Sequence, residues 1–92
     1  MRIGLGAAIP NPTVGDVAFS IGLATKGHLR LAIYDVTGRL VRVVVDEERD
    51  PGLFREAWDG RNSDGRRVAA GVYFVRAEAP GIARSRKVVL IK

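Results

Sequence analysis

Residues 28–45 have the sequence HLRLAIYDVTGRLVRVVV, and this stretch decides the fold. Over residues 28–34 a large aliphatic side chain occupies every second position, which is the period of a β-strand with one buried face. These side chains are Leu29, Leu31 and Ile33. Asp35 and Gly38 then predict a tight turn, because an Asp side chain bonds nearby backbone amides and glycine accepts the positive φ of a hairpin. Residues 39–45 are therefore predicted to return as the second strand of a hairpin.

This returning strand is apolar on both faces, except at Arg42. Two apolar faces are expected of a strand in the middle of a sheet or beneath a loop. An acidic run follows at residues 46–50, and the Pro51-Gly52 pair comes after it. We expect the acidic run to be an exposed surface loop.

The same period of two continues through most of the chain, and turn residues interrupt it about every ten positions. Further strands are predicted at residues 16–23, 54–58, 71–79 and 84–92, with an edge strand within residues 3–9. Prolines follow that edge strand because proline cannot donate to a central ladder. No segment keeps a helical apolar stripe for three turns. Two antiparallel sheets packed face to face are the simplest arrangement, and a closed six-stranded barrel is the alternative.

Glu56 is an unusual residue in this pattern. It lies on the same side of its predicted strand as Phe54 and Trp58, two side chains expected in the core. An inward carboxylate either pairs with a nearby arginine or marks an edge strand that discourages further pairing. The first explanation predicts an arginine beside Glu56, and the second predicts that its strand lies at the edge of a sheet.

Length and composition indicate one domain over residues 1–92, with residues 1–10 as an edge strand or linker. The chain is 47% hydrophobic and 27% charged, which is typical of a globular protein. A domain of this size buries only about 60–65% of its unfolded surface, so there is little room for a deep active-site cleft. The absence of cysteine excludes disulfides, thiolate metal sites and a cysteine nucleophile. Residues 1–10 are too short for an export signal, so we expect a piece of a longer precursor.

The net charge is +5, from 15 Lys and Arg against 10 Asp and Glu. Most arginines are scattered singly, and the clusters are confined to residues 66–67 and 84–87. Nucleic-acid binding on a sheet needs interleaved aromatic side chains, and the core requires most of the aromatics here. We expect a solvated basic surface, with no nucleic-acid partner and no membrane insertion.

His28 is the only histidine, so a metal site built from several imidazoles is excluded. Any Ser-His-acid triad would have to use His28. The serines do not lie in a nucleophile elbow. They are Ser20, Ser63 and Ser85. We therefore expect that the chain has no catalytic residues and is not an enzyme.

Residues 59–65, DGRNSDG, are the one segment similar to a cation loop. Calcium needs six to eight oxygens, but Arg61 and Ser63 stand where ligands should be. A turn whose Asp and Asn side chains bond their own backbone explains the same residues. Gly4 and Gly6 form a GxG without the helix of a phosphate cradle. We expect no metal and no cofactor, and calcium at residues 59–65 stays an open question.

Five short motifs occur in order along the chain. They are Asn11-Pro12, IYDVTGRLV at 33–41, WDGR at 58–61, GVYFVR at 71–76 and RKVVL at 86–90. From Asn11 to Lys92 the chain resembles the C-terminal sorting domains of the type IX secretion system. It resembles equally the immunoglobulin-like domain of the flagellar hook-capping protein. The resemblance implies an all-β, immunoglobulin-like antiparallel β-sandwich of about seven strands.

In the sorting-domain family, such a module ends a larger exported enzyme or adhesin, is recognised by the outer-membrane secretion machinery and is often removed. The resemblance thus implies a non-catalytic sorting or accessory module of a secreted or cell-surface bacterial protein. Its partners would be the secretion machinery or the parent protein's other domains. The recognition residues carried over from the motifs are Tyr34, Asp35, Gly38, Arg39, Gly71, Tyr73 and Lys87.

Several of these residues also have a structural explanation. Asp35 and Gly38 suit a hairpin, Gly71 permits a bend before a strand, and Tyr73 can bond the backbone as a tyrosine corner does. Two other functions stay open, a structural assembly module of the hook-cap type and a surface- or carbohydrate-binding sandwich. The parent protein and the oligomeric state are not determined by the sequence.

Overall fold

The computed structural model describes residues 3–91, which contain seven β-strands and no helix. The strands are β1 (Gly4–Leu5), β2 (Val17–Leu23), β3 (Gly27–Asp35), β4 (Leu40–Arg49), β5 (Gly52–Trp58), β6 (Gly71–Ala79) and β7 (Ile82–Leu90). All their pairings are antiparallel, and they form two sheets with the orders β1-β2-β5 and β4-β3-β6-β7. The predicted sandwich is confirmed, and the barrel is excluded. Residues 3–91 contain no helix that is long and apolar enough to cross a membrane.

The core lies between the two sheets and is built from the alternating apolar side chains. In β3, the three large aliphatic side chains that the period of two selects are all fully buried. The largest fully buried side chains are Val17, Phe19, Ile21, Leu23, Leu29, Leu31, Ile33, Trp58, Val75 and Val88. Each buried side chain of this size contributes about 1.5–3 kcal/mol, so this layer is the main force that joins the sheets.

The strand β4 is longer than the sequence predicts. It continues through the acidic residues to Arg49, and Asp46 pairs with Arg30 across the ladder. The expected loop at residues 46–50 is therefore wrong. The reason is that β4 is an edge strand, whose carboxylates stay in water while its backbone pairs with β3.

Two β-bulges explain why β4 is apolar on both faces. The register between β3 and β4 shifts twice, which leaves Val41 and Val44 without a partner in β3. Because a bulge interrupts the alternation, both valines pack against the core. The 59–67 loop also covers this strand, since the Ser63 amide donates to the Val41 carbonyl at 3.1 Å. The predicted covering loop is thus correct, whereas the alternative position in the middle of a sheet is wrong.

Arg49 explains the inward carboxylate of Glu56. The guanidinium Nη2 donates to Glu56 Oε2 at 3.0 Å, and Nε donates to Glu47 Oε2 at 2.8 Å. Its central carbon lies 4.9 Å from the centre of the Phe54 ring. Both expectations for Glu56 are confirmed, because it pairs with an arginine and β5 is an edge strand. Since Arg49 belongs to β4, this contact joins the edges of the two sheets.

The predicted edge strand within residues 3–9 is present but short. Only Gly4 and Leu5 form β1, which pairs with β2, and one further bridge joins Ile9 to Ala18. The last strand is also displaced, since it covers Ile82–Leu90 instead of 84–92. Met1, Arg2 and Lys92 lie outside the described residues.

Residues 11–13 form an N-terminal strap that crosses to the other sheet and pairs with β7. Asn11 Nδ2 donates to the Lys87 carbonyl at 2.8 Å, and its Oδ1 accepts from the Val89 amide at 2.9 Å. The Thr13 amide then donates to the Val89 carbonyl at 2.9 Å, and the Thr13 carbonyl accepts from the Ile91 amide at 2.9 Å. The amide of Asn11 thus imitates a backbone pair and covers part of the free edge of β7.

Candidate functional site

The side chain of Asp35 holds the turn between β3 and β4. Its Oδ1 accepts hydrogen bonds from the Thr37 hydroxyl at 2.6 Å, the Thr37 amide at 2.9 Å and the Arg39 amide at 3.0 Å. Gly38 has a φ of +85°, a conformation that favours glycine. The Thr37 hydroxyl bond, with help from the backbone donors, lowers the pKa of the Asp35 carboxyl. Asp35 and Gly38 therefore shape the turn, and the Arg39 side chain is left exposed beside it.

This turn gives the fold a dependence on pH. The pKa of Asp35 is lower in the folded state, so its carboxylate stabilises the fold above the unfolded value of about 3.9. That stabilisation is lost as pH falls through the folded pKa. We expect Asp35→Asn to lower the urea midpoint at pH 7 and to differ less from the wild type near pH 2.5. Asp50→Asn is the control, since no hydrogen bond to the Asp50 carboxyl occurs within residues 3–91. A wild-type difference that is constant with pH would contradict this expectation.

Four side chains form a row across the outer face of the four-stranded sheet. Tyr34 pairs with Leu40 on one side and with Phe74 on the other, and Phe74 pairs with Lys87. The row faces outward because Ile33, the residue before Tyr34 in β3, is fully buried. We call Leu40, Tyr34, Phe74 and Lys87 the aromatic row. With neighbouring strands about 4.8 Å apart, it extends about 14 Å across the sheet.

Charged side chains next to the aromatic row fix the position of Tyr34. Arg30 Nη1 donates to the Tyr34 hydroxyl at 2.7 Å and lies 3.7 Å from Glu78 Oε1. Arg76 Nε lies 3.5 Å from the same carboxylate oxygen. Tyr34 and Phe74 are half-buried, whereas 45% of Leu40 is exposed. The outer face therefore presents an ordered apolar strip between a network of ion pairs and the cationic Lys87.

Gly71 and Tyr73, also predicted as recognition residues, lie elsewhere. Tyr73 points inward and donates from its hydroxyl to the Ala69 carbonyl at 2.6 Å, as a tyrosine corner is expected to do. Its ring meets Trp58 edge to face, with centroids 5.5 Å apart, and burial raises the pKa of its hydroxyl. Gly71 begins β6 at a φ of +154°, which favours glycine. Tyr73 belongs to the interior and Gly71 to the start of β6, and the structure does not bring either residue to the aromatic row.

Side-chain oxygens of the loop at residues 59–65 accept hydrogen bonds from the loop's own backbone and from the adjacent Arg66. Asn62 Oδ1 accepts from the amides of Asp64 and Arg66, and Asp59 Oδ1 accepts from the amide of Arg61. The Arg61 carbonyl accepts from the Trp58 indole at 2.8 Å. Within residues 3–91 no three acidic, histidine or cysteine side chains are close enough to hold a metal ion. The loop geometry agrees with the turn explanation and anchors Trp58.

His28 lies on the exposed part of β3, where its Nε2 contacts Asp46 Oδ1. The side chains of His28 and Asp46 are 59% and 54% exposed. Within residues 3–91 no serine is hydrogen-bonded to the imidazole. A nucleophile and its base are therefore not assembled around His28.

The predicted recognition residues thus separate into an exposed and a structural set. Tyr34 and Lys87 share the aromatic row, and Arg39 is exposed at the adjacent turn. Leu40 and Phe74 complete the row, although the prediction did not include them. Alternation could have placed Phe74 on an outer face, but only the strand register shows that it lies between Tyr34 and Lys87.

Comparisons with known proteins agree with this architecture. A family model described as the FlgD Ig-like domain matches residues 6–81. A crystal structure of dimeric latent PorU from Porphyromonas gingivalis contains a similar fold, with a TM-score of 0.69 and 24% identity over 91% of this chain. The matching part is 9% of the PorU chain. No match is found among curated protein sequences.

Fold and site together define an immunoglobulin-like β-sandwich module with one ordered outer face. The family match covers more than half of the chain and includes the β3–β4 hairpin, the 59–67 loop and all of β6. The chain belongs to the FlgD Ig-like domain family.

Proposed function

We propose that this chain is a non-catalytic sorting module of an exported bacterial protein and that the outer-membrane secretion machinery contacts it through the aromatic row. The row itself carries the proposal, since it is an ordered apolar surface that the interior does not need. The similarity to a small part of the much longer PorU chain supports an accessory role within a larger protein. We place the parent protein in the cell envelope or outside the cell.

The chemistry of the aromatic row defines the partner surface that would fit it. Leu40, Tyr34 and Phe74 offer apolar area, and half-buried aromatic side chains of fixed orientation are common centres of binding energy. Lys87 at one end and Arg39 at the nearby turn are both exposed cations. The matching surface is apolar with acidic groups at its rim.

A secretion assay tests this proposal. The chain is fused to the C-terminus of a reporter with a Sec signal, in a bacterium that has a type IX system. We expect the wild-type fusion to reach the cell surface or medium. Tyr34→Ala with Phe74→Ala should reduce the exported reporter about tenfold or more, since loss of two aromatic anchors typically weakens binding by over 1.4 kcal/mol. Protease resistance of the purified variant shows that it is folded.

Charge is tested separately with a matched pair. Lys87→Glu reverses the charge at one end of the aromatic row. Lys26→Glu makes the same change in the turn before β3, at the end of β3 that is far from Tyr34. We expect export to fall only for Lys87→Glu. Periplasmic retention of a folded wild-type fusion would contradict sorting. Equal export of wild type and row variants would contradict the role of the row.

The family match favours a second candidate, a structural assembly module of the hook-cap type. Such a module is expected to self-associate or to bind a neighbouring assembly segment. Light scattering of the purified chain separates the two functions, since self-association that is lost in the Tyr34→Ala/Phe74→Ala variant would favour assembly. A strict monomer over the whole concentration range would count against it.

A further inference from the structure

A cleft of about 550 Å³ lies along the first strand, on the other face of β7 from Lys87. Its lining includes residues 3–7, Ser20 and Leu53, together with Arg84 and Arg86 of β7. The GxG of Gly4 and Gly6, which the sequence alone did not explain, thus lies opposite two arginines. The cleft does not include any residue of the aromatic row or of the adjacent turn.

Both arginines point toward the inner side of β7. Arg84 pairs with Ala77 and Arg86 pairs with Val75, and these two partners are fully buried. Being two residues apart on one strand face, the arginines are separated by about 7 Å along the strand. One anionic group can therefore contact both guanidinium groups.

Within residues 3–91, no carboxylate neutralises the positive charges of Arg84 and Arg86 in this cleft. Neither Arg84 nor Arg86 takes part in any of its ion pairs. Arg86 Nε donates to the Leu5 carbonyl at 3.0 Å, which fixes its head group beside β1 and leaves its remaining N–H groups for another acceptor. Two neighbouring cations beside apolar walls are a favourable site for an oxyanion.

Two large aliphatic side chains in the lining of the cleft are exposed. Leu53 is 64% exposed and Ile3 is 48% exposed, although both are large aliphatic side chains. An apolar group bound against these side chains would remove their surface from water. Such burial stabilises the complex by roughly 25 cal/mol for each Å² of apolar surface. The lining of the cleft thus combines two cationic side chains with exposed apolar ones, and this combination defines its ligand.

We propose that this cleft binds an oxyanion, carboxylate or phosphate, carried on a short apolar chain. The guanidinium groups of Arg84 and Arg86 hold the oxyanion, and Ile3 and Leu53 contact the apolar chain. This activity is separate from the proposed sorting function, because it uses different residues and a different face of β7.

Inward charges also occur on edge strands simply to prevent unwanted pairing. That role requires only one charge, and the strap of residues 11–13 already covers part of this edge. Prevention of pairing also does not account for a cleft whose lining includes the exposed Leu53. A binding experiment distinguishes the two explanations.

The test is a titration of the purified chain followed by NMR of arginine Nε–H and backbone amide resonances. The probes are octanoate, octyl phosphate, 1-octanol and inorganic phosphate. We expect saturable shifts at Arg84, Arg86 and Leu53 with an octyl anion. Inorganic phosphate and 1-octanol should bind at least tenfold more weakly, because each offers only half of the ligand. The comparison of octanoate with octyl phosphate shows which oxyanion is preferred.

Variants complete the test. Arg84→Gln with Arg86→Gln should weaken binding of the preferred probe at least tenfold, while Arg66→Gln, in the loop next to Trp58, should leave it unchanged. Preserved amide spectra show that the variants are folded. Equal binding of 1-octanol and the octyl anions, unchanged binding in the double arginine variant, or no saturable shift with either anion would overturn the proposal. Export in the secretion assay should not change in the same double arginine variant, so the two proposals fail independently.

Discussion

Trp58→Ala is expected to lower the free energy of unfolding by about 3–5 kcal/mol. The indole is 1% exposed, packs edge to face against Tyr73 and donates to the Arg61 carbonyl. Its removal leaves a cavity between the sheets and releases the loop that covers β4. Small domains are stable by only about 5–15 kcal/mol, so a large part of the stability would be lost. Urea unfolding, followed by far-UV circular dichroism, measures the change.

Trp58→Phe is the matched variant. It keeps an aromatic ring beside Tyr73 but removes the indole donor, so we expect a smaller loss of about 1–2 kcal/mol. The order wild type, Phe variant, Ala variant is the essential result. An Ala variant as stable as the wild type would show that the two sheets do not depend on this side chain.

Combining Asn11→Ala with Thr13→Val is expected to reduce stability by about 2–4 kcal/mol. Asn11 loses both bonds to β7, and the buried Thr13 loses the bond from its hydroxyl to the Asp16 carbonyl at 2.7 Å. The Gly15 amide, which donates to the Thr13 hydroxyl oxygen at 3.2 Å, also loses its acceptor. Chemical denaturation measures the loss of stability.

The opened edge of β7 should also promote association between chains, because uncovered strand edges pair readily. Light scattering at rising concentration tests this second effect. Asn11→Asp is a sharper control, because it keeps the acceptor for the Val89 amide but places a carboxylate oxygen against the Lys87 carbonyl. An Asp variant as stable as the wild type would mean that the bond to Lys87 contributes nothing.

Local patterns in the sequence predict the strands well, because each depends on neighbouring residues. Leu29, Leu31 and Ile33 show the buried face of β3 directly, and Asp35 with Gly38 shows the turn. The residues 71–79 predicted as a strand form β6 with the same boundaries. These features need no information from distant parts of the chain.

Features that depend on pairing partners were predicted less well. The acidic residues 46–50 have low strand propensity, yet the β3 backbone pairs with most of them because an edge strand leaves carboxylates in water. The bulges at Val41 and Val44 also arise from the fit between β3 and β4. For Glu56, the local sequence indicates an inward carboxylate, but only the folded structure shows that Arg49 is its partner.

The candidate site shows the same division. The motifs include Tyr34 and Lys87, but nothing local indicates that Phe74 lies between them. The cleft is even harder to predict from local sequence, because it brings residues 3–7 together with Arg84 and Arg86 near the other end of the chain. The two arginines resemble ordinary surface charges until β1 is placed beside them.

The aromatic row consists of residues from four different strands, and three separate ladders must be in register before its members become neighbours. A slip of one residue in any ladder would turn part of the row toward the interior. An unfolded chain has the same side chains but not their arrangement. A receptor that recognises the row would therefore distinguish finished molecules from incomplete ones, so recognition and quality control would be one event.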